Sequence, residues 1–233
     1  MGRPYIICHM VTSIDGKVTG DFLFRPECEN ATEIYYELNR EYHQNGANGF
    51  ICGRVTMEDS FTGGWYPDLE KYQPIENFGD FVPGNLSGFY AVAFDPKGKL
   101  GWKSSHIIDE DPGYGDAQVI EVLTTKADPC YLGYLQEMGI PYIFAGEDEI
   151  NVEKALSKLT ELLGIHTLLL EGGSVVNGYF ERSDVVDELS LVMAPVIADS
   201  DSKPLFTDSG ICDFNLKEIK QYENGVLWLN YKK

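Results

Sequence analysis

The sequence is poor in cations, in histidine and in paired cysteine, and each shortage removes a class of function. Eighteen Lys and Arg stand against 37 Asp and Glu, a formal net charge of -19 at pH 7. Such a surface repels nucleic-acid phosphates and an anionic membrane face, so neither is an expected partner. Any anionic ligand must be held by local donors working against the global field. The four histidines are dispersed, and the five cysteines (Cys8, Cys28, Cys52, Cys130, Cys212) never form a C-x-x-C pair. No zinc-ligand spacing and no disulfide framework results, so no metal is expected. The thiols read as reduced, several of them packing as small hydrophobes of a cytoplasmic protein. No apolar run approaches the ~20 residues of a membrane span. Met1-Gly2-Arg3-Pro4 enters a strand-like segment without a signal-peptide core. Internal repeats and linker-like tracts are missing as well, so one domain over residues 1–233 is the simplest organisation.

What is present alternates strand with helix. Residues 4–13, 49–52, 89–94, 119–124, 141–145, 167–170 and 186–192 are β-branched or apolar runs that read as strands. Asn30 with Glu33 resembles a capping box, with Ile34, Leu38 and Tyr42 at helical spacing and Gly46 as a stop. An apolar helix is expected over residues 129–138. Asn151 caps a periodic helix with Val152, Ala155, Leu156, Leu159, Leu162 and Leu163 on one face and Gly164 at its end. The chain closes in a hairpin turning at Asn224-Gly225. Between Thr62 and Ser87 the pattern dissolves into an aromatic-rich loop (Trp65, Tyr66, Tyr72, Phe78, Phe81), uncommonly long unless functional. It reads either as a flap over a pocket or as packing against the body. The expected class is three-layer α/β/α, with a mostly parallel central sheet and an antiparallel C-terminal hairpin.

Ligands of such sheets bind at the carboxyl ends of strands. Three segments place polar or glycine-rich residues there: Asp15-Gly16-Lys17, Gly53-Arg54-Val55-Thr56, and Glu171-Gly172-Gly173-Ser174. The last two open helices, whose bare amides and dipole suit a phosphate. Two helix starts on one crevice would cradle a pyrophosphate, with Thr56 and Ser174 hydroxyls as further donors and Arg54 as a planar, permanent cation. Each segment has a plainer reading. Arg54 could form a surface ion pair, Thr56 could cap its helix, and Asp15-Gly16 could be a turn alone. No G-x-G-x-x-G occurs, so the usual Rossmann fingerprint is absent.

These residues carry a resemblance. Gly53-Arg54-Val55-Thr56-Met57-Glu58 resembles the G-R-x-T-x-E segment of dihydrofolate reductases. Ser13-Ile14-Asp15-Gly16-Lys17, Glu171-Gly172-Gly173-Ser174, and Val186-Asp187-Glu188-Leu189 followed by Ala194-Pro195 are closer to a sister group. That group is the reductase domain of the bifunctional deaminase–reductase of riboflavin biosynthesis, which shares the dihydrofolate reductase fold. The likeness touches the first and last thirds of the chain. It implies an NADPH-dependent pyrimidine reductase that forms a homodimer, with the strand over residues 186–192 and the terminal hairpin as the expected interface. It further implies that Gly53, Arg54 and Thr56 hold the cofactor phosphates, Arg54 taking the 2′-phosphate, and that Asp95 adds a contact. Gly172, Gly173, Ser174 and Val175 would lie against the pyrophosphate. Lys17 and Glu171 would face substrate, and Asp15 would aid proton delivery.

The sequence also departs from that group. It contains no H-x-E with P-C-x-x-C, so no deaminase domain is expected. After Thr56 it runs Asp59-Ser60-Phe61 where the reductases carry basic residues for a ribose phosphate. Two other readings stay open. One is a dihydrofolate reductase, with Glu33 or Glu37 as its helix carboxylate; the S-x-D-G-K loop argues against it. The other is a non-catalytic nucleotide-binding protein of the same fold.

Overall fold

The computed structural model describes residues 2–77, 79–84, 86 and 88–233. In chain order the strands are β1 (Tyr5–Thr12), β2 (Gly49–Gly53), β3 (Tyr90–Phe94), β4 (Gln118–Leu123), β5 (Tyr142–Phe144), β6 (Thr167–Leu170), β7 (Glu188–Met193), β8 (Asn215–Gln221) and β9 (Leu227–Lys232). The helices are α1 (Pro26–Gln44), α2 (Arg54–Met57), α3 (Pro129–Glu137), α4 (Val152–Leu163) and α5 (Ser174–Arg182). They gather into two compact units. Unit 1 is Asn48–His166 with the N-terminal segment up to Pro4; unit 2 joins Tyr5–Ala47 to Thr167–Lys233.

Unit 1 holds parallel strands in the order β5-β4-β3-β2. Every residue of β2, β3 and β4 is buried, which is why their sequences run apolar without alternation. Asp128 caps α3 by accepting from the Cys130 amide at 2.8 Å, and Pro129 sits in the first turn. Asn151 caps α4 through the Lys154 amide at 2.8 Å, and Gly164 ends it at φ 66. The apolar face of α4 buries Val152, Ala155, Leu156 and Leu159, the valine and the two leucines contributing about 1.5–3 kcal/mol each.

The aromatic loop packs on unit 1, the second of its two readings. Tyr66 stacks on Tyr131 and donates to Gly98 O at 2.8 Å. Phe81 and Tyr142 exchange backbone hydrogen bonds of 2.9 Å, so the loop covers the edge of β5. Asp80 accepts from the Phe144 amide and from Lys158 Nζ, both at 2.8 Å. Gly133 of α3 leaves room for the loop backbone, since a Cβ there would lie 2.0 Å from Gln73 O. Phe78 and Ser87 lie outside the described residues.

Unit 2 orders its strands β6-β1-β7-β9-β8, parallel from β6 to β7 and antiparallel at β9 and β8. Cys28, Ala31, Ile34 and Leu38 of α1 form a core with Val192, Ala194, Val196 and Val226. The helix begins four residues before the expected Asn30 cap. Pro26 presets the first turn, and Glu27 and Glu29 complement the dipole. Asn30 and Glu33 therefore lie within helix, where their spacing carries no cap. Gly46, at φ 102, follows the helix end as expected. The terminal hairpin turns through Glu223-Asn224-Gly225: the Gly225 amide donates to Tyr222 O at 3.1 Å, and Gly225 supplies the positive φ of 83.

Candidate functional site

In unit 1, β2 ends at Gly53, the extended residue that precedes α2. Arg54 and Thr56 stand in the first turn, so Gly53 occupies the cap position that Thr56 could have filled. Arg54 Nη1 pairs with Glu58 Oε2 one turn on, at 2.5 Å, both side chains being about a third exposed. A pair of this kind contributes about 0.3–0.5 kcal/mol, little to set against a phosphate, and the guanidinium keeps further N–H groups to offer. Asp95 follows β3 and is buried. Its Oδ2 accepts from the amides of Lys99 and Leu100, shaping the turn, while Oδ1 is enclosed without a partner. Burial raises its pKa, against the pull of those amides and of Arg54.

Beside Asp95 lies an acid the sequence reading passed over. Glu121 of β4 is fully buried; its Oε1 accepts from Trp102 Nε1 at 2.5 Å and lies 3.2 Å from Tyr131 Oη, and Oε2 has no partner. Burial, then the Asp95 charge, holds its pKa well above the carboxylate range. Tyr131 also donates to Leu100 O at 2.8 Å, so one hydroxyl proton is divided between two acceptors and compensates the buried carboxyl only in part. The available signal was a carboxylate set inside the apolar run Val119–Leu123.

In unit 2, β6 leads through Glu171 into Gly172 at φ 97, where a Cβ would lie 3.3 Å from Met10 Cε. A cis peptide joins it to Gly173, the extended residue that precedes α5. The first-turn amides of α5, at Ser174 and the half-exposed Val175, have no partner within the helix. The Ser174 hydroxyl is committed elsewhere, against expectation: it donates to Pro204 O at 2.5 Å and meets Thr207 Oγ1 at 2.6 Å.

The turn after β1 is equally tied. Asp15 Oδ1 accepts from Ser13 Oγ at 2.6 Å and from the Ala198 amide at 3.0 Å. The Ser13 hydroxyl, then that amide, lowers its pKa, so the carboxylate organises the turn. Lys17 is half-buried beside it; among the described residues no ion pair or hydrogen bond engages its ammonium, whose charge acts on Asp15. Glu171 is 7% exposed and accepts from Asn39 Nδ2 of α1 at 2.6 Å.

Residues 194–210 form a strap that binds these loops. Ile14 N donates to Val196 O at 2.8 Å, Val18 N to Lys203 O at 2.9 Å, and Leu205 N to Gly16 O at 3.0 Å. On α5, Thr207 N reaches Ser174 O at 3.1 Å, and Gly178 leaves space for the strap, a Cβ there lying 1.9 Å from Thr207 O. Unit 2 thus brings Asp15, Lys17 and the glycine turn under one strap, and unit 1 brings Gly53, Arg54, Thr56 and Asp95 to the ends of adjacent strands. Among the described residues no three His, Cys, Asp or Glu side chains gather as metal ligands, and no helix is long and apolar enough to cross a membrane.

The RibD C-terminal domain family matches residues 114–228. The 2,5-diamino-6-ribosylamino-4(3H)-pyrimidinone 5′-phosphate reductase of Aquifex aeolicus is 34% identical over 209 residues, covering 88% of this chain and 82% of its own. The chain belongs to this reductase family. It is the family that the S-I-D-G-K, E-G-G and V-D-E-L motifs pointed to. The family match spans Glu171–Val175, while Asp15, Lys17, Arg54 and Asp95 precede it.

The fold agrees. A pyrimidine reductase-like protein of Corynebacterium diphtheriae superposes with a TM-score of 0.67 at 19% identity, covering 98% of this chain and 91% of that one. The riboflavin biosynthesis reductase Rib7 of Saccharomyces cerevisiae gives 0.61 at 17% identity, covering 99% and 90%. The fold is dihydrofolate reductase-like, mixed α/β with an antiparallel C-terminal hairpin.

Proposed function

We propose that the chain is an NADPH-dependent reductase of an aminopyrimidine that carries a phosphorylated ribosylamino chain. The observation that carries this reading is the 34% identity to the Aquifex aeolicus reductase over most of both chains. The candidate residues fit a nicotinamide dinucleotide. Gly172 and Gly173 let a phosphate approach backbone amides at the start of α5, and Gly53, Arg54 and Thr56 open α2. The buried, unpartnered Asp95 Oδ1 suits a ligand hydroxyl. Arg54 is the member that would separate NADPH from NADH, by its permanent charge toward a 2′-phosphate. Bound there, the cofactor would supply a hydride.

The protein's share is orientation, exclusion of water and charge. Lys17 would meet an anionic or carbonyl oxygen of the substrate, Glu171 would accept from a substrate N–H, and Asp15 would hold the turn that presents Lys17. The dihydrofolate alternative is disfavoured. Glu33 and Glu37 are exposed, and the buried polar residue on the inner face of α1 is the amide Asn39.

A second copy of the chain would cover the far face of the hairpin. Leu189, Tyr231 and Leu216 stand in register, as do Leu191, Leu229 and Ile219. All of β8 is exposed, with Leu216 and Ile219 more than half so. An apolar stripe across three strands that ends in an exposed edge supports the homodimer.

The test is oxidation of NADPH by the purified chain with 2,5-diamino-6-ribosylamino-4(3H)-pyrimidinone 5′-phosphate, beside its deaminated counterpart and dihydrofolate. Turnover with a pyrimidine and none with dihydrofolate is expected. Binding of NADPH without turnover of any of the three would overturn the reading in favour of a nucleotide-binding protein.

A further inference from the structure

Asn39 lies on the inner face of α1, fully buried next to Leu38. One turn away along the helix stand Tyr35 and Tyr36 on one side and Tyr42 and His43 on the other, and a leucine would keep the branched outline of the side chain without its donor. The amide instead points Nδ2 at Glu171 Oε1, 2.6 Å away, and leaves its own Oδ1 enclosed without a partner. An unpaired buried carbonyl costs desolvation and returns nothing to stability, so the fold gains little from having an amide there. What the amide does is aim a donor at a carboxylate that is 7% exposed. A donor to a buried carboxylate favours its charged form. The opposite orientation would set two acceptor oxygens 2.6 Å apart, a contact that requires a proton between them. Around Glu171, β1 contributes the Cys8 thiol, whose pKa is raised by burial and then by the Glu171 charge. Met10 of β1 and Asn177 of α5 line the adjoining Gly172.

We infer that Asn39 is the positioning residue of Glu171: its amide fixes Glu171 as an ionised hydrogen-bond acceptor at the substrate end of the glycine turn. Resting on the reductase reading, this gives Glu171 a definite part. It accepts from an N–H of the pyrimidine and does not supply the proton that completes the reduction, which must come from another group or from water. It also selects substrate, because a ring presenting an acceptor at that edge would face a fixed negative charge.

The decisive measurement is the pH titration of the Glu171 carboxyl by 13C NMR on glutamate-labelled protein, with Glu171→Gln identifying the signal. In Asn39→Leu the midpoint should rise by about one to two units, a ten- to hundredfold gain in proton affinity, as expected for a buried carboxylate stripped of its donor. In Asn39→Asp the pair should share a proton and titrate in two steps. If Asn39→Asp fails to fold, the uncharged Asn39→Leu still decides. Titration identical to wild type in the variant that folds would overturn the inference. Kinetics supply the second readout: the acid limb of the kcat/KM profile should move up in Asn39→Leu, with NADPH affinity unchanged. A uniform drop at all pH values would mean a structural role alone. Wild-type protein that reduces no pyrimidine would strike the reductase reading, while the titration judges Asn39 separately.

Discussion

The loop over residues 62–89 of unit 1 and the strap over residues 194–210 of unit 2 are both long and irregular, and they are used in opposite ways. In unit 1 the loop from residue 62 to residue 89 is rich in rings and is fastened to the unit's own core, by stacking on Tyr131, by pairing with Tyr142 and by close approach to Gly133. It meets the Asp95 turn at Tyr66 and otherwise serves packing. In unit 2 the strap over residues 194–210 has few rings and is fastened to the candidate site itself, mainly through backbone hydrogen bonds to the Asp15–Lys17 turn and to α5. The lesson is that bulk in a loop marks burial, whereas backbone pairing to other loops marks site architecture. Perturbing the strap should therefore cost activity, and perturbing the aromatic loop should cost stability.

Gly178→Val gives the largest effect expected. Its side chain would have to displace Thr207 O, 1.9 Å from the Cβ position, and overpacking of this kind costs about 1–3 kcal/mol or more. Thermal denaturation should show the loss, and kcat/KM should fall well over tenfold below the melting range, since the strap that carries the turns has moved. Gly133→Ala is the counterpart. The Cβ would lie 2.0 Å from Gln73 O, and a loss of about 1–3 kcal/mol is again expected. Turnover per folded molecule should stay within about threefold of wild type, as a change in how the loop packs on α3 leaves the site standing. If Gly133→Ala lost as much kcat/KM as Gly178→Val, the contrast between the two segments would collapse.

The next effect down sharpens the contrast at the level of charge. Arg54 of unit 1 is held by a weak pair with Glu58, whereas the glycine turn of unit 2 contributes backbone alone. Arg54→Ala should weaken NADPH about tenfold or more, the value of one charge-assisted contact of ~1.4 kcal/mol, and leave NADH nearly unchanged. Equal losses measured by fluorescence titration would remove Arg54 from the 2′-phosphate.

How much of this was legible follows from the same division. Strand and helix identity could be read wherever burial imposes a period, as on the stripe of α4 and the unbroken apolar β2–β4. The S-I-D-G-K and E-G-G motifs marked candidate strand ends, because glycine and charge there are local signals. The α1 start was misplaced because Asn30-Glu33 matches a cap locally, while the choice was made by Pro26. The hydroxyl bonds of Ser174 were not legible, because its partners, Pro204 and Thr207, are some thirty residues away and carry no periodic signature. Asn39 and Glu121 escaped for a related reason. One polar residue on an apolar face shows only after folding whether it has a partner.

The smallest effect expected sets the two units against each other in pH. Unit 2 buries His9, whose Nε2 donates to Tyr35 O at 3.0 Å and whose Nδ1 accepts from Ser190 Oγ at 2.9 Å; Trp228 Nε1 in turn donates to Ser190 Oγ. Burial disfavours the charged imidazolium and lowers its pKa to about 4, against the pull of those hydrogen bonds. The unfolded histidine binds its proton near pH 6.5, so this contribution is intact above 6.5 and is lost as pH falls toward 4. By pH 5.5 the loss should be about 1 kcal/mol. Unit 1 carries the opposite sign. Glu121 and Asp95 have raised values, so their contribution is fullest below the ordinary carboxylate range and fades as pH rises through the folded values. Urea midpoints at pH 7 and 5.5 give the slope of the whole chain, and two substitutions separate its parts. His9→Gln should remove the acid-side loss. Glu121→Gln, an isostere that needs no proton, should remove part of the alkaline-side loss. If both variants kept the wild-type slope, neither buried group would titrate as its surroundings dictate, and the assignment of opposite signs to the two units would fail.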